Sequence, residues 1–122
     1  MYGYWGKLLR VNLTNRTYKA EDIPEETARK FLGGTALGAK ILLEETPANV
    51  DPLSPANKLI FAVGALQGTN FPGNGKWSVI TKGPITKTFL DSAGTGHWAP
   101  YFKKTGFDMI VIEGKADKPV YL

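Results

Sequence analysis

The sequence contains no cysteine, which removes disulfides, thiolate metal sites, Fe–S ligation and cysteine nucleophiles together. Its one histidine, His97, cannot build a metal cluster alone. No stretch approaches the roughly 20 apolar residues of a membrane helix. The start, Met1-Tyr2-Gly3-Tyr4-Trp5, lacks the basic region and apolar run of a signal peptide. A cytoplasmic protein with no membrane partner is therefore expected. No Ser-His-Asp set and no carboxylate pair stands out from spacing, and no short-period repeat is visible. Two glycosylation-type triplets, Asn12-Leu13-Thr14 and Asn15-Arg16-Thr17, overlap a turn and read as coincidence in a chain with no secretion signal.

What is present fits one globular domain, spanning 1–122, with 43% hydrophobic residues. The net charge of +4 and the pI near 9.3 point to anionic partners, but the basic residues are scattered. A soluble surface of mixed charge accounts for the same numbers.

Leu9, Val11 and Leu13 alternate with Arg10 and Asn12, the period of a half-buried strand. Thr14-Asn15-Arg16 makes a turn, and Thr17 to Glu21 returns as a hairpin arm. Asp22 is placed to cap a helix with Pro24 and Glu25-Glu26 in its first turn, and Ala28, Phe31 and Leu32 form its apolar side. Gly33-Gly34 stops it, and a second helix is expected over Thr35–Glu45, burying Leu37, Ile41 and Leu42. The segment "TPANVDPLSPANK" reads as a loop. "LIFAVGAL" (Leu59 to Leu66) reads as a strand buried on both faces, followed by a strand over Lys76–Thr81. A short helix is expected over Trp98–Lys104 and a buried strand over Met109–Gly114, with another beginning at Pro119. The pattern is α+β, with a mixed or antiparallel sheet and short helices.

Two loops are candidates for ligand contact. In "GTNFPGNGKWSVITKGP" (Gly68 to Pro84), Gly73 and Gly75 can take positive φ and Pro72 fixes a turn. Gly73-Asn74-Gly75-Lys76 leads into a strand, so it is neither a Walker loop nor a Rossmann fingerprint. A plain turn explains it; so does an anion held by the Lys76 charge and free glycine amides. Asp91-Ser92-Ala93-Gly94-Thr95-Gly96-His97 has the same character and leads into a helix start, which favours anions. His97 beside Trp98 is either a general base or a partly buried structural residue. Tyr2, Tyr4 and Trp5 with Arg10 are either a nucleic-acid stacking platform or part of a core or interface.

Five stretches resemble, in order and spacing, the start of one family. They are "YGYWGKLLRVNLT", "FLGGTALGAKILLEE", "VDPLSPANKLIFAVGALQGT", "VITKGPIT" and "FKKTGFDMIVIEGKADKPVYL". The chain is similar to the N-terminal domain of tungsten-containing aldehyde:ferredoxin oxidoreductases. That resemblance implies an α+β domain whose two halves are alike, of which this chain is about the first part. It implies a base for a bis-pterin tungsten (or molybdenum) cofactor, with magnesium bridging the pterin phosphates. Residues matching the cofactor-cradling segments are Gly75, Lys76 and Trp77, and Ala93, Gly94 and Thr95. Lys76 stands where the family commonly has arginine, keeping the charge without the planar fork. The family's Asn-Ser-Gly-Gly run falls on Ala93-Gly94-Thr95-Gly96, so Ala93 would offer a backbone carbonyl to magnesium.

The resemblance further implies that the 4Fe-4S ligands and the acid/base residues near tungsten lie beyond this chain. Its partners would be the pterin cofactor, the remainder of the oxidoreductase or a companion subunit, ferredoxin indirectly, and a second copy in a homo-oligomer. Two readings stand beside each other. One is the tungstopterin-binding portion of an aldehyde-oxidising enzyme, inactive by itself; the other is a dimeric, non-catalytic pterin carrier or scaffold. A nucleic-acid-binding module is a third, resting only on pI and aromatics.

Overall fold

The computed structural model describes residues 2–122. Nine elements follow in chain order: β1 (Lys7–Asn12), β2 (Thr17–Asp22), α1 (Glu25–Phe31), α2 (Gly34–Glu45), β3 (Lys58–Val63), β4 (Trp77–Lys82), β5 (Phe89–Gly94), α3 (Trp98–Lys104) and β6 (Met109–Glu113). The six strands form one mixed sheet in the order β2-β1-β6-β3-β4-β5. All neighbours are antiparallel except β1 and β6, which run parallel with Leu8 opposite Met109.

Alternation sends Leu8, Ile60, Ala62, Ile80, Met109 and Val111 to one face, where they bury under α2 and α1. From α2 come Leu37, Ile41 and Leu42; from α1 comes Ala28, with Phe31 packed partly against them. Gly38 of α2 sits so close to the sheet that an added Cβ would lie 2.7 Å from Ile80 Cδ1. A second, smaller cluster forms on the opposite face under α3, where Val63, Ala99 and Phe102 meet Trp77, Phe107 and Ile110.

Five expectations need correction. "LIFAVGAL" is not a strand buried on both sides: β3 ends at Val63, and Leu59 is 39% exposed because helices cover only the other face there. Asp22 does not cap α1; it closes β2 opposite Lys7, and Pro24 occupies the N-cap position with no side-chain cap. Leu32 lies outside the apolar side of α1, 69% exposed, as the left-handed C-cap at φ 60°. Asp91 to Gly94 belongs to β5 rather than to a loop. No strand begins at Pro119. β1 and β6 are already paired on both sides, so the end of the chain finds no free ladder beside them.

Candidate functional site

The two candidate segments converge at one end of the β4–β5 ladder. Trp77 pairs with Gly94 and Ser78 with Ala93, which brings Gly75-Lys76-Trp77 alongside Ala93-Gly94-Thr95. The contact continues past the ladder. Gly75, at φ 115°, presses so close to the following turn that an added Cβ would stand 3.0 Å from the Gly96 carbonyl oxygen. Only glycine accepts both that φ and that approach.

The rest of the glycine-rich loop is tied to itself. Asn74 donates its backbone N–H to Phe71 O at 3.3 Å, and its side-chain amide donates to Thr69 O. The Gly75 N–H donates to Gln67 Oε1 at 2.5 Å in a buried bond. The expectation of a free Gly75 amide is thus corrected: Gln67 takes it. Lys76 is exposed. The carboxylates that form ion pairs among the described residues engage Arg10, Arg16, Lys19, Arg29, Lys40, Lys58 and Lys103, leaving the Lys76 ammonium outside those pairs.

Side chains divide to the two faces. Trp77 points to the face of the small cluster, its ring 6.0 Å from Phe61 and 5.0 Å from Trp98. It lies across Gly94, where an added Cβ would be 2.4 Å from Trp77 Cζ2. On the opposite face, Thr35 at the start of α2 shares a 2.7 Å hydrogen bond with the Ser78 hydroxyl and donates to Asp91 Oδ2 at 3.0 Å. Ala93 and Thr95 are exposed. As β5 is an edge strand, backbone groups along its outer side lack a strand partner, and they suit a ligand that coordinates carbonyls.

The other sequence candidates sit elsewhere. His97 is exposed at the N-cap of α3, 6.4 Å from the Tyr101 ring, so it is not a buried structural histidine. Tyr4 packs against the main core and donates its hydroxyl to Leu32 O; Trp5 donates Nε1–H to Lys103 O. Arg10 is not with them but bonds Glu21, Glu45 and Glu113 on the α2 face. Burial there would lower the guanidinium pKa, and the bonds to Glu45 and Glu21 outweigh it, leaving Arg10 raised and permanently charged. Among the described residues no group of three or more His, Cys, Asp or Glu could hold a metal ion. Nor is any helix there long and apolar enough to cross a membrane.

The profile of the aldehyde ferredoxin oxidoreductase N-terminal domain matches residues 8–122. The chain belongs to that family. The tungsten-containing aldehyde ferredoxin oxidoreductase of Pyrococcus abyssi is 52% identical over the whole of this chain, and that of Pyrococcus furiosus 47%. An aliphatic sulfonate oxidoreductase, WOR-like subunit, of Pyrococcus furiosus is 40% identical. Each match covers 20% of the relative, so the chain spans about one fifth of the length of the curated relatives it matches. Among solved structures, a chain of the active-site complex BamBC of benzoyl coenzyme A reductase with 1,5 dienoyl-CoA superposes with a TM-score of 0.97. It is 39% identical, and the alignment takes in 99% of this chain and 18% of that one. The aldehyde ferredoxin oxidoreductase N-terminal fold therefore recurs with little change beneath proteins named for different reactions.

Proposed function

We propose that this chain is the cofactor-cradling N-terminal part of a tungsten-containing aldehyde:ferredoxin oxidoreductase. The observation that carries the reading is the convergence of Gly75-Lys76-Trp77 with Ala93-Gly94-Thr95 across one ladder. The residues present suit a phosphate-bearing cofactor. Lys76 offers a cation outside the ion pairs of the described residues, the edge of β5 offers backbone carbonyls, and glycine at 75, where an added Cβ would stand 3.0 Å from the Gly96 carbonyl oxygen, lets the two segments close.

In the complete enzyme an aldehyde and water give a carboxylic acid, two protons and two electrons, the electrons passing to ferredoxin. A bound bis-pterin tungsten (or molybdenum) cofactor supplies that redox chemistry. This chain's own work is to bind and orient. Lys76 neutralises phosphate charge, the Ala93 carbonyl offers a ligand to magnesium, and the Gly75–Gly96 contact fixes the spacing between them. The 4Fe-4S cluster falls to the remainder of the enzyme or a companion subunit, since this chain has no cysteine to ligate it, and the proposal places the proton-transferring groups there as well. The whole would work in the cytoplasm, as a homo-oligomer. Relatives matched along this entire chain are oxidoreductases, which favours the enzyme portion over a free-standing pterin carrier.

The test is elemental analysis for tungsten and molybdenum, with pterin fluorescence, on protein from a cofactor-producing host, beside its mass in solution. The expected result is one metal–pterin unit per chain or per dimer, lost on Lys76→Ala while the fold persists. Well-folded protein with neither metal nor pterin, or retention undiminished in K76A, would overturn the reading.

A further inference from the structure

We infer that Gln67 is the positioning residue of this site: its side-chain carbonyl, held inside the fold, fixes the glycine-rich loop and thereby places Lys76. Gln67 lies just past the end of β3, in a turn where its N–H donates to Gly64 O at 3.3 Å. Its side chain is not turned to water, as glutamine usually is, but the residue is only 9% exposed. The Oε1 atom accepts the Gly75 N–H across eight residues of loop, in a buried hydrogen bond.

The consequence for Lys76 follows from chain connectivity. Lys76 stands between two anchors, Gly75 on its N-terminal side bound to Gln67, and Trp77 on its C-terminal side paired with Gly94. Anchors on both flanks narrow the dihedral range of the Lys76 backbone, so that its ammonium searches mainly side-chain rotamers. Without the Gln67 acceptor, the buried Gly75 amide would be unsatisfied, a penalty that drives the loop outward to find water. The Gly75–Gly96 approach would open with it, and Lys76 would keep only its Trp77 side fixed.

That Lys76 serves an anion rests on the function proposed above; that Gln67 holds the loop does not. The experiment reads the two separately. On the wild-type chain, amide hydrogen exchange compares Gly75 with Gly73, whose N–H has no comparable acceptor among the described residues, and calorimetry measures inorganic pyrophosphate in the presence of magnesium. Gly75 is expected to exchange at least ~100-fold more slowly than Gly73, and equal rates overturn the positioning role without any variant. Gln67→Met keeps the length and burial but removes the acceptor. It is expected to release the Gly75 amide, mobilise residues 73–76 in NMR relaxation, and weaken pyrophosphate ~10-fold at temperatures where the fold is intact. Gln67→Glu retains an acceptor oxygen and is expected to keep the Gly75 amide protected. A merely structural glutamine would lower the melting temperature in Q67M while leaving loop order and pyrophosphate affinity unmoved, and that result refutes the inference. If the wild type does not bind pyrophosphate, the anion reading fails, and the exchange and relaxation data still decide the role of Gln67.

Discussion

Gly94→Ala isolates one contact at the junction of the two segments. Gly94 does not have positive φ, so alanine meets no backbone strain there. What it meets is the Trp77 ring, at 2.4 Å from Cζ2, 2.5 Å from Cε2 and 2.9 Å from Nε1. A flexible side-chain tip could step aside, but this ring is boxed in. Phe61 lies 6.0 Å away and Trp98 5.0 Å away, and Trp98 is stacked on Phe102 at 4.9 Å. Overpacking of this kind costs about 1–3 kcal/mol. Alanine returns about 0.4–1 kcal/mol by restricting the unfolded chain. With the ring boxed in, the cost lies in the upper half of that range, about 2–3 kcal/mol, and the net is a loss of about 1–2 kcal/mol. For a chain of 122 residues the unfolding entropy is about 0.26 kcal/mol/K, so Tm should fall by about 4–8 °C. Thermal unfolding followed by near-UV circular dichroism reads both the stability and the tryptophan packing. In a Trp77→Leu background the ring is gone, and adding Gly94→Ala should then cost nothing or stabilise slightly. An unchanged Tm with the native near-UV signal, or an equal cost in both backgrounds, would refute the assignment of Gly94 as the seat of Trp77.

Two further outcomes are expected. Lys103→Met leaves Asp108, 2% exposed, as an unpaired buried charge still bonded to the Gly6 N–H, and should cost about 3–5 kcal/mol in urea unfolding. Adding Asp108→Asn should recover part of that loss, and a double variant no better than K103M would contradict the pairing. The Glu113 carboxyl is pushed up by burial, but the hydrogen bond and charge of Lys58, with Arg10 behind it, hold it below its ordinary value of 4.5. A depressed folded-state pKa means the stabilisation is complete above 4.5 and is lost as pH falls toward the folded value. The urea midpoint should therefore drop through that window in the wild type and drop less in Glu113→Gln; parallel pH profiles would show that Glu113 is not a main source of the acid sensitivity.

The elements that were legible in the sequence are those whose residues have a face to bury. The α2 helix announces itself through Leu37, Ile41 and Leu42, all of which the sheet covers, and Met109 and Val111 do the same for β6. β5 gives no such signal. "FLDSAG" has no apolar alternation because it is an edge strand with most of its residues exposed, and it is a strand through its ladder with β4. That one omission hid the geometry of the site. With Asp91 to Gly94 read as loop, nothing in the pattern pairs the two candidate ligand loops along a ladder; as β5, they become facing ends of one antiparallel pair. The resemblance assigns Gly94 to the cofactor, and in the structure the atoms nearest to a Cβ built there belong to Trp77. Gln67 was invisible for a different reason. A glutamine in a turn carries no period and no charge, and its role exists only because the chain returns eight residues later with a buried N–H that needs an acceptor. Local pattern can show where backbone is permissive, but what that backbone is permissive for is decided by the partner the fold brings to it.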